Sequence, residues 1–182
     1  MIRSILFAGV LGLSLVCGAV AEGLPAVGAK RPAAQVVDAD DRGLDLRSIN
    51  GRPMLIVYED KDSSKLNVPL KDELSRLARG GRYQAAVALV PVADVEGYDY
   101  WPVRGFVKSA IRDESKKIGA TIYCDWDGTF RRAVGLRRGT SSVVLIGRDA
   151  RVLFASEGAL SAPERQRLLS LLRAEVDALD DS

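Results

Sequence analysis

The chain of 182 residues sets 26 Lys and Arg against 24 Asp and Glu, a formal net charge of +2, and its 47% apolar content fits one globular domain with a sizeable core. It has no histidine, which excludes Ser-His-Asp and Cys-His catalysis in their usual forms and most zinc or other transition-metal sites. No long run of one charge sign occurs, so nucleic acid is not an expected partner, and Arg131-Arg132 and Arg137-Arg138 are read as solvated surface.

Arg3, the apolar stretch Ile5 to Val16 and the small residues Ala19-Val20-Ala21 ahead of Glu22 predict a cleavable signal peptide over residues 1–21. The apolar run is short for a membrane span. Lipid attachment through Cys17 is disfavoured by the bulky Val16 before it. An irregular Gly/Pro/Ala arm is expected over residues 22–34 and a single domain over residues 35–182. The exported chain would keep Cys124 alone and could form no internal disulfide.

Gln35-Val36-Val37-Asp38 and Leu44-Asp45-Leu46 alternate around Asp40-Asp41-Arg42-Gly43, which predicts a β-hairpin. Asn50-Gly51-Arg52-Pro53 punctuates the way into Met54–Tyr58, a continuous apolar run suited to a strand covered on both faces. Asp62, Ser63 and Ser64 lie where a helix N-cap is wanted. Leu66, Leu70, Leu74 and Leu77 then share one helical face, with Pro69 expected to kink the helix or to confine its regular part to the residues after the proline. Gly80-Gly81 ends it.

Residues 82–92 read as the next strand, centred on Val87-Ala88-Leu89-Val90. The loop from Pro91 to Pro102 gathers Tyr98, Tyr100 and Trp101, and is expected to fold back on the core rather than to form a binding surface. Phe106, Val107, Ala110, Ile111 and Ile118 predict a second amphipathic helix. Residues 120–124 make a third strand; Cys124 at its end is read first as a buried core thiol and only second as a reactive one. Asp125-Trp126-Asp127-Gly128 is a turn, since the spacing lacks the further ligands and closing glutamate of a calcium loop. A short helix through Phe130 and Val134 comes next, then a hairpin of residues 143–146 and 151–154. The last helix starts at Ser161, where Ser161 and Glu164 form a capping box with Pro163 in the first turn and Leu168, Leu172, Val176 and Leu179 on the buried face.

Strands alternating with helices, closed by a hairpin, define an α/β protein with a mixed sheet flanked by helices and an N-terminal β-hairpin extension. The order and spacing of Ser48 through Val57, of Asp127-Gly128 through Gly135 and of Val144 through Val152 resemble the thioredoxin-like fold of the TlpA, peroxiredoxin and SCO-like proteins. Gly105 through Lys117 and Glu157 through Glu164 are similar to the YtfJ-type family of exported bacterial proteins. That resemblance implies a periplasmic thioredoxin-like domain. It places the redox relatives' two-cysteine segment near Lys61, Asp62, Ser63 and Ser64, and their cis-proline near Ser141, where a trans bond is expected. A serine hydroxyl is not ionised near neutral pH and forms no disulfide, so dithiol exchange is not expected there. The catalytic set is therefore empty apart from the weak candidate Cys124, and no metal or cofactor is expected. The expected role is non-catalytic binding of another periplasmic protein or peptide at Lys61, Asp62, Ser63, Ser64 and Ser141. The alternative is a redox enzyme of the peroxiredoxin or TlpA type that uses Cys124.

Overall fold

Residues 23–180 are described by the computed structural model; the expected signal peptide over residues 1–21 lies outside the described residues. The elements run β1 (Gln35–Asp38), β2 (Gly43–Asp45), β3 (Met54–Glu59), α1 (Val68–Ala78), α2 (Arg82–Ala86), β4 (Ala88–Asp94), α3 (Val103–Ile118), β5 (Tyr123–Asp125), α4 (Thr129–Val134), β6 (Ser142–Ile146), β7 (Val152–Glu157) and α5 (Ala162–Asp180). Single 3-10 turns occupy Leu46–Ser48 and Ser63–Lys65.

One seven-stranded sheet has the order β2-β1-β5-β4-β3-β6-β7. β3, β4 and β5 are parallel, and β1, β2, β6 and β7 add antiparallel pairs at the two sides. β3 is central and buried along its apolar length, which is why it reads as an unbroken apolar run rather than an alternating one. Its even-numbered residues Met54, Ile56 and Tyr58 join Phe130 and Val134 of α4 and the hairpin side chains in one core layer. Its odd-numbered residues Leu55 and Val57 join Leu70 of α1 and Leu168, Leu172 and Val176 of α5 in the layer on the opposite face. A third cluster, Val95, Cys124 and Trp126, takes Val107 and Ile111 of α3.

Four expectations about elements need correction. The strand read over residues 82–92 begins only at Ala88, because Gly81 at φ 73° opens the short helix α2 first. α1 starts at Val68, with Pro69 in its first turn where the missing N–H costs nothing; Asp62, Ser63 and Ser64 therefore cap no α-helix, and Leu66 stays exposed outside it. On α3 the stripe is split. Val107 and Ile111 pack inward, whereas Phe106 and Ile118 lie in solvent. The aromatic loop does not fold back on the core: Tyr98, Tyr100 and Trp101 are exposed, Trp101 by 91%. The capping box at α5 is present as read, with Ser161 N and Oγ donating to Glu164 Oε2 at 2.8 and 2.6 Å.

Candidate functional site

The carboxyl ends of β3, β4 and β5 point the same way, so the loops after them share one end of the sheet, where open α/β sheets place their ligands. The loop after β3 holds four of the five predicted binding residues, and Ser141 enters from the residue before β6. Lys61 and Asp62 are exposed and Ser64 is half-buried, whereas Ser63 and Ser141 are buried.

Ser63 is spent on the loop itself. Its Oγ accepts from the Asp60 backbone N–H at 2.9 Å, and its own N–H donates to Asp60 Oδ1 at 2.7 Å. Burial pushes the Asp60 carboxyl up, but the Ser63 hydroxyl and the N–H groups of Ser63 and Asp62 outweigh it and hold the carboxyl below its ordinary range. Ser64 Oγ donates to Lys61 O at 2.8 Å, one turn back.

Ser141 belongs to a second, larger network. Its Oγ donates to Glu59 Oε1 at 2.9 Å and accepts from Asn67 Nδ2 at 2.8 Å. Asn67, 1% exposed, also donates from Nδ2 to Gly158 O at 2.8 Å and accepts the Leu160 N–H on Oδ1 at 2.9 Å. Lys71 Nζ completes the set, 2.6 Å from Glu59 Oε2 and 2.6 Å from Ser64 O. The side chains of Glu59, Asn67, Lys71 and Ser141 thus tie the start of α1 to the end of β3 and to both ends of the β6–β7 hairpin. Among the described residues the cis peptide bond is Trp101–Pro102, and the bond before Ser141 is trans, as expected from the absence of proline there.

Sequence reasoning found Ser141 and missed Glu59, Asn67 and Lys71. A signal for Asn67 was present, because asparagine directly before Val68-Pro69 looks like an N-cap. Its side chain forms no cap bond and turns across to the hairpin instead. Glu59 and Lys71 carry no such signal; only the fold brings them 2.6 Å apart.

Chemically this network is closed. The Ser141 hydroxyl, with no solvent exposure, donates to Glu59 and accepts from Asn67, so its hydrogen-bonding capacity is engaged within the protein, and serine offers no thiolate. Cys124 sits elsewhere, on β5, 2% exposed, and burial pushes its thiol up to about 11. The structure brings Cys124 into contact with Val95 and Trp126 and not with the serines of the β3–α1 loop.

A further polar row crosses the sheet at the same end. Asp94 and Asp125 are register partners on β4 and β5, and the Tyr58 hydroxyl donates to Asp125 Oδ2 at 3.2 Å. Burial pushes the Asp125 carboxyl up, against the Arg131 and Phe130 backbone N–H groups that it accepts at 2.9 and 3.2 Å. Asp125 thereby fixes the first turn of α4, a structural task. Arg131 then reaches Glu96 at 3.0 Å. Among the described residues no group of three or more Cys, Asp or Glu could hold a metal ion.

A central sheet of parallel β3, β4 and β5 extended by an antiparallel β6–β7 hairpin, with α1 after the first parallel strand and Ser141 leading into the hairpin, defines a thioredoxin-like domain. Solved structures agree. A thiol peroxidase from Chromobacterium violaceum is similar at a TM-score of 0.58 and 16% identity, over 83% of this chain and 88% of its own. The exposed lipoprotein thioredoxin Etrx1 from Streptococcus pneumoniae gives 0.56 and 14%, over 78% and 98%. An uncharacterized conserved protein from Geobacillus kaustophilus gives 0.63 and 14%, over 84% and 83%. At these identities the likeness is one of fold. No curated relative matches the sequence significantly. The family model described as bacterial protein of unknown function, YtfJ_HI0045, matches residues 61–175, more than half of the chain, and the protein belongs to that family. Among the described residues no helix is long and apolar enough to cross a membrane.

Proposed function

We propose that this protein is an exported, periplasmic thioredoxin-like domain that binds another protein or a peptide at the carboxyl end of its parallel strands and performs no dithiol exchange there. The observation that carries this reading is the pairing of a closed Glu59–Ser141–Asn67 network with an open surface beside it. Lys61 and Asp62 project from the β3–α1 loop, and Tyr98, Tyr100 and Trp101 project from the loop after the neighbouring parallel strand. Arg138 links the rims: its Nη2 donates to Glu96 O at 3.0 Å, and its charge acts on Asp60. Exposed aromatic side chains next to fixed polar groups are the composition of interface anchors.

The test has two arms. Photo-cross-linking from position 61 in the periplasm should trap a discrete partner, and Trp101→Ala should remove it. The purified mature chain should show no disulfide reductase or peroxidase turnover above its Cys124→Ala variant. Turnover that depends on Cys124 would overturn the non-redox reading, and cross-linking indifferent to Trp101, Asp62 and Ser141 substitutions would overturn the choice of surface.

A further inference from the structure

At the opposite end of the sheet the parallel strands leave a gap. β5 pairs with β4 only over Val92–Asp94, so β4 from Ala88 to Pro91 has β3 on one side and, among the described residues, no strand on the other. Pro91, which has no N–H to donate, sits at the upper limit of this stretch. The helical layer is open at the same place. α1, α2 and α5 cover the sheet from one side, and α3 covers the other cluster around Cys124. Leu89 shows the result. Its cross-strand partner Leu55 is 1% exposed, yet Leu89 itself is 39% exposed.

The gap is a cleft of about 500 Å³, within the usual range for a small-molecule site. Leu89 floors it, Leu74, Leu77 and Tyr83 form one wall, and Ile118, 49% exposed at the end of α3, forms the other. Among its lining residues Arg52 is the sole charged side chain and no carboxylate is present. Arg52 Nη2 donates to Val87 O at 2.9 Å, which holds the guanidinium at the start of β4, and among the described residues it forms no ion pair. A guanidinium with no counter-ion among the described residues, in a cleft whose lining joins Leu74, Leu77, Leu89 and Ile118 to the polar Asn50, Gln84 and Thr121, is complementary to a single carboxylate on an apolar chain.

We propose that this cleft binds a single-chain amphiphile with a carboxylate head, its acyl chain lying over Leu89 between α1 and α3 and its head on Arg52. This site is independent of the surface at the other end of the sheet. Removing Leu89 and Ile118 from water is the driving term, and the paired head group sets the direction of the chain.

The probe is decanoate, titrated below its micelle concentration into the mature chain while methyl resonances are tracked by NMR. The Leu74, Leu77, Leu89 and Ile118 methyls should shift saturably. Decanol should bind about tenfold more weakly, and Arg52→Ala should bring decanoate down to the decanol value without altering decanol, as expected for loss of one charge-assisted contact. Ile118→Glu, on an exposed helix end, should fold normally and lose decanoate binding; its far-UV circular dichroism and melting temperature establish the fold. The proposal is overturned by no saturable shift, by equal binding of decanol or decyltrimethylammonium, by an Arg52→Ala variant that binds like the parent, or by a peptide with an apolar C-terminus that competes decanoate out at lower concentration.

Discussion

Ser141 donates its hydroxyl proton to Glu59 at 2.9 Å from a position with no solvent exposure. The two residues are 82 apart in sequence, Glu59 at the end of β3 and Ser141 directly before the neighbouring strand β6, so their bond staples the centre of the fold to its closing hairpin. Asn67 makes the staple three-sided by binding Ser141, Gly158 and Leu160 at once. Asn67, Ser141 and Leu160 are buried and Gly158 partly so, and truncating the hub leaves its partners with unmatched polar groups. Asn67→Ala should therefore cost about 2–4 kcal/mol. Urea unfolding should show a lower midpoint with an unchanged slope. A loss below about 0.5 kcal/mol, the level of an ordinary surface change, would show that the network holds nothing.

Cys124 illustrates the difference between having a thiol and being able to use one. Its neighbours Val95 and Trp126 exclude water, and burial lifts the thiol to about 11. The thiolate is the reactive form. Iodoacetamide should leave the folded chain unmodified at pH 8 over a time in which the urea-unfolded chain reacts fully, and the native rate should still be rising at pH 10 without a plateau. A native rate equal to that of a free thiol at pH 8 would restore Cys124 as a redox candidate.

The sheet and its helices were legible in the sequence because burial writes itself into periodicity. Met54–Tyr58 is apolar throughout because both faces of β3 are covered, and Ser161 with Glu164 announces α5 through a local bond. The site was legible only in part. Ser63 and Ser141 follow from their positions in the fold, but Glu59 and Lys71 meet through tertiary packing, and neither spacing nor residue type signals that meeting. The aromatic loop failed for the converse reason. Composition marks Tyr98, Tyr100 and Trp101 as apolar, and the tendency of such residues to bury predicts the core, yet all three side chains stand in solvent. α2 was missed because its five residues are too few to show a helical period.

Asp125 gives the fold a pH dependence of definite sign. Its carboxyl is raised in the folded state above its unfolded value, so the neutral form is the one that folding favours. The associated stability is fully present below the unfolded pKa of about 3.9 and is lost as pH rises through the folded value. Asp125→Asn keeps the shape and cannot ionise. The stability of this variant relative to the parent should improve as pH rises from about 4 and level off once pH has passed the folded value, read from urea midpoints at each pH. Asp60 works in the opposite sense. Its carboxyl is held low, so its contribution is present above the unfolded value and lost as pH falls, and Asp60→Asn should cost more at pH 7 than at pH 3. If the Asp125→Asn difference is flat across this range, the carboxyl titrates as it does in the unfolded chain.

Trp101 and Phe106, 91% and 73% exposed, separate binding from folding. Neither contributes to a core cluster, so replacing both with alanine should leave the melting temperature within the change expected for surface sites, about 0.5 kcal/mol or less. The same replacement at an interface anchor costs about 2 kcal/mol or more in affinity. The double variant should thus retain its fold and lose capture of the partner cross-linked from position 61, whereas Asn67→Ala should lose stability first and capture only as the chain unfolds. A melting temperature that drops with Trp101→Ala would mean that the loop packs on the body of the protein, and the surface assigned to binding would then be a structural one.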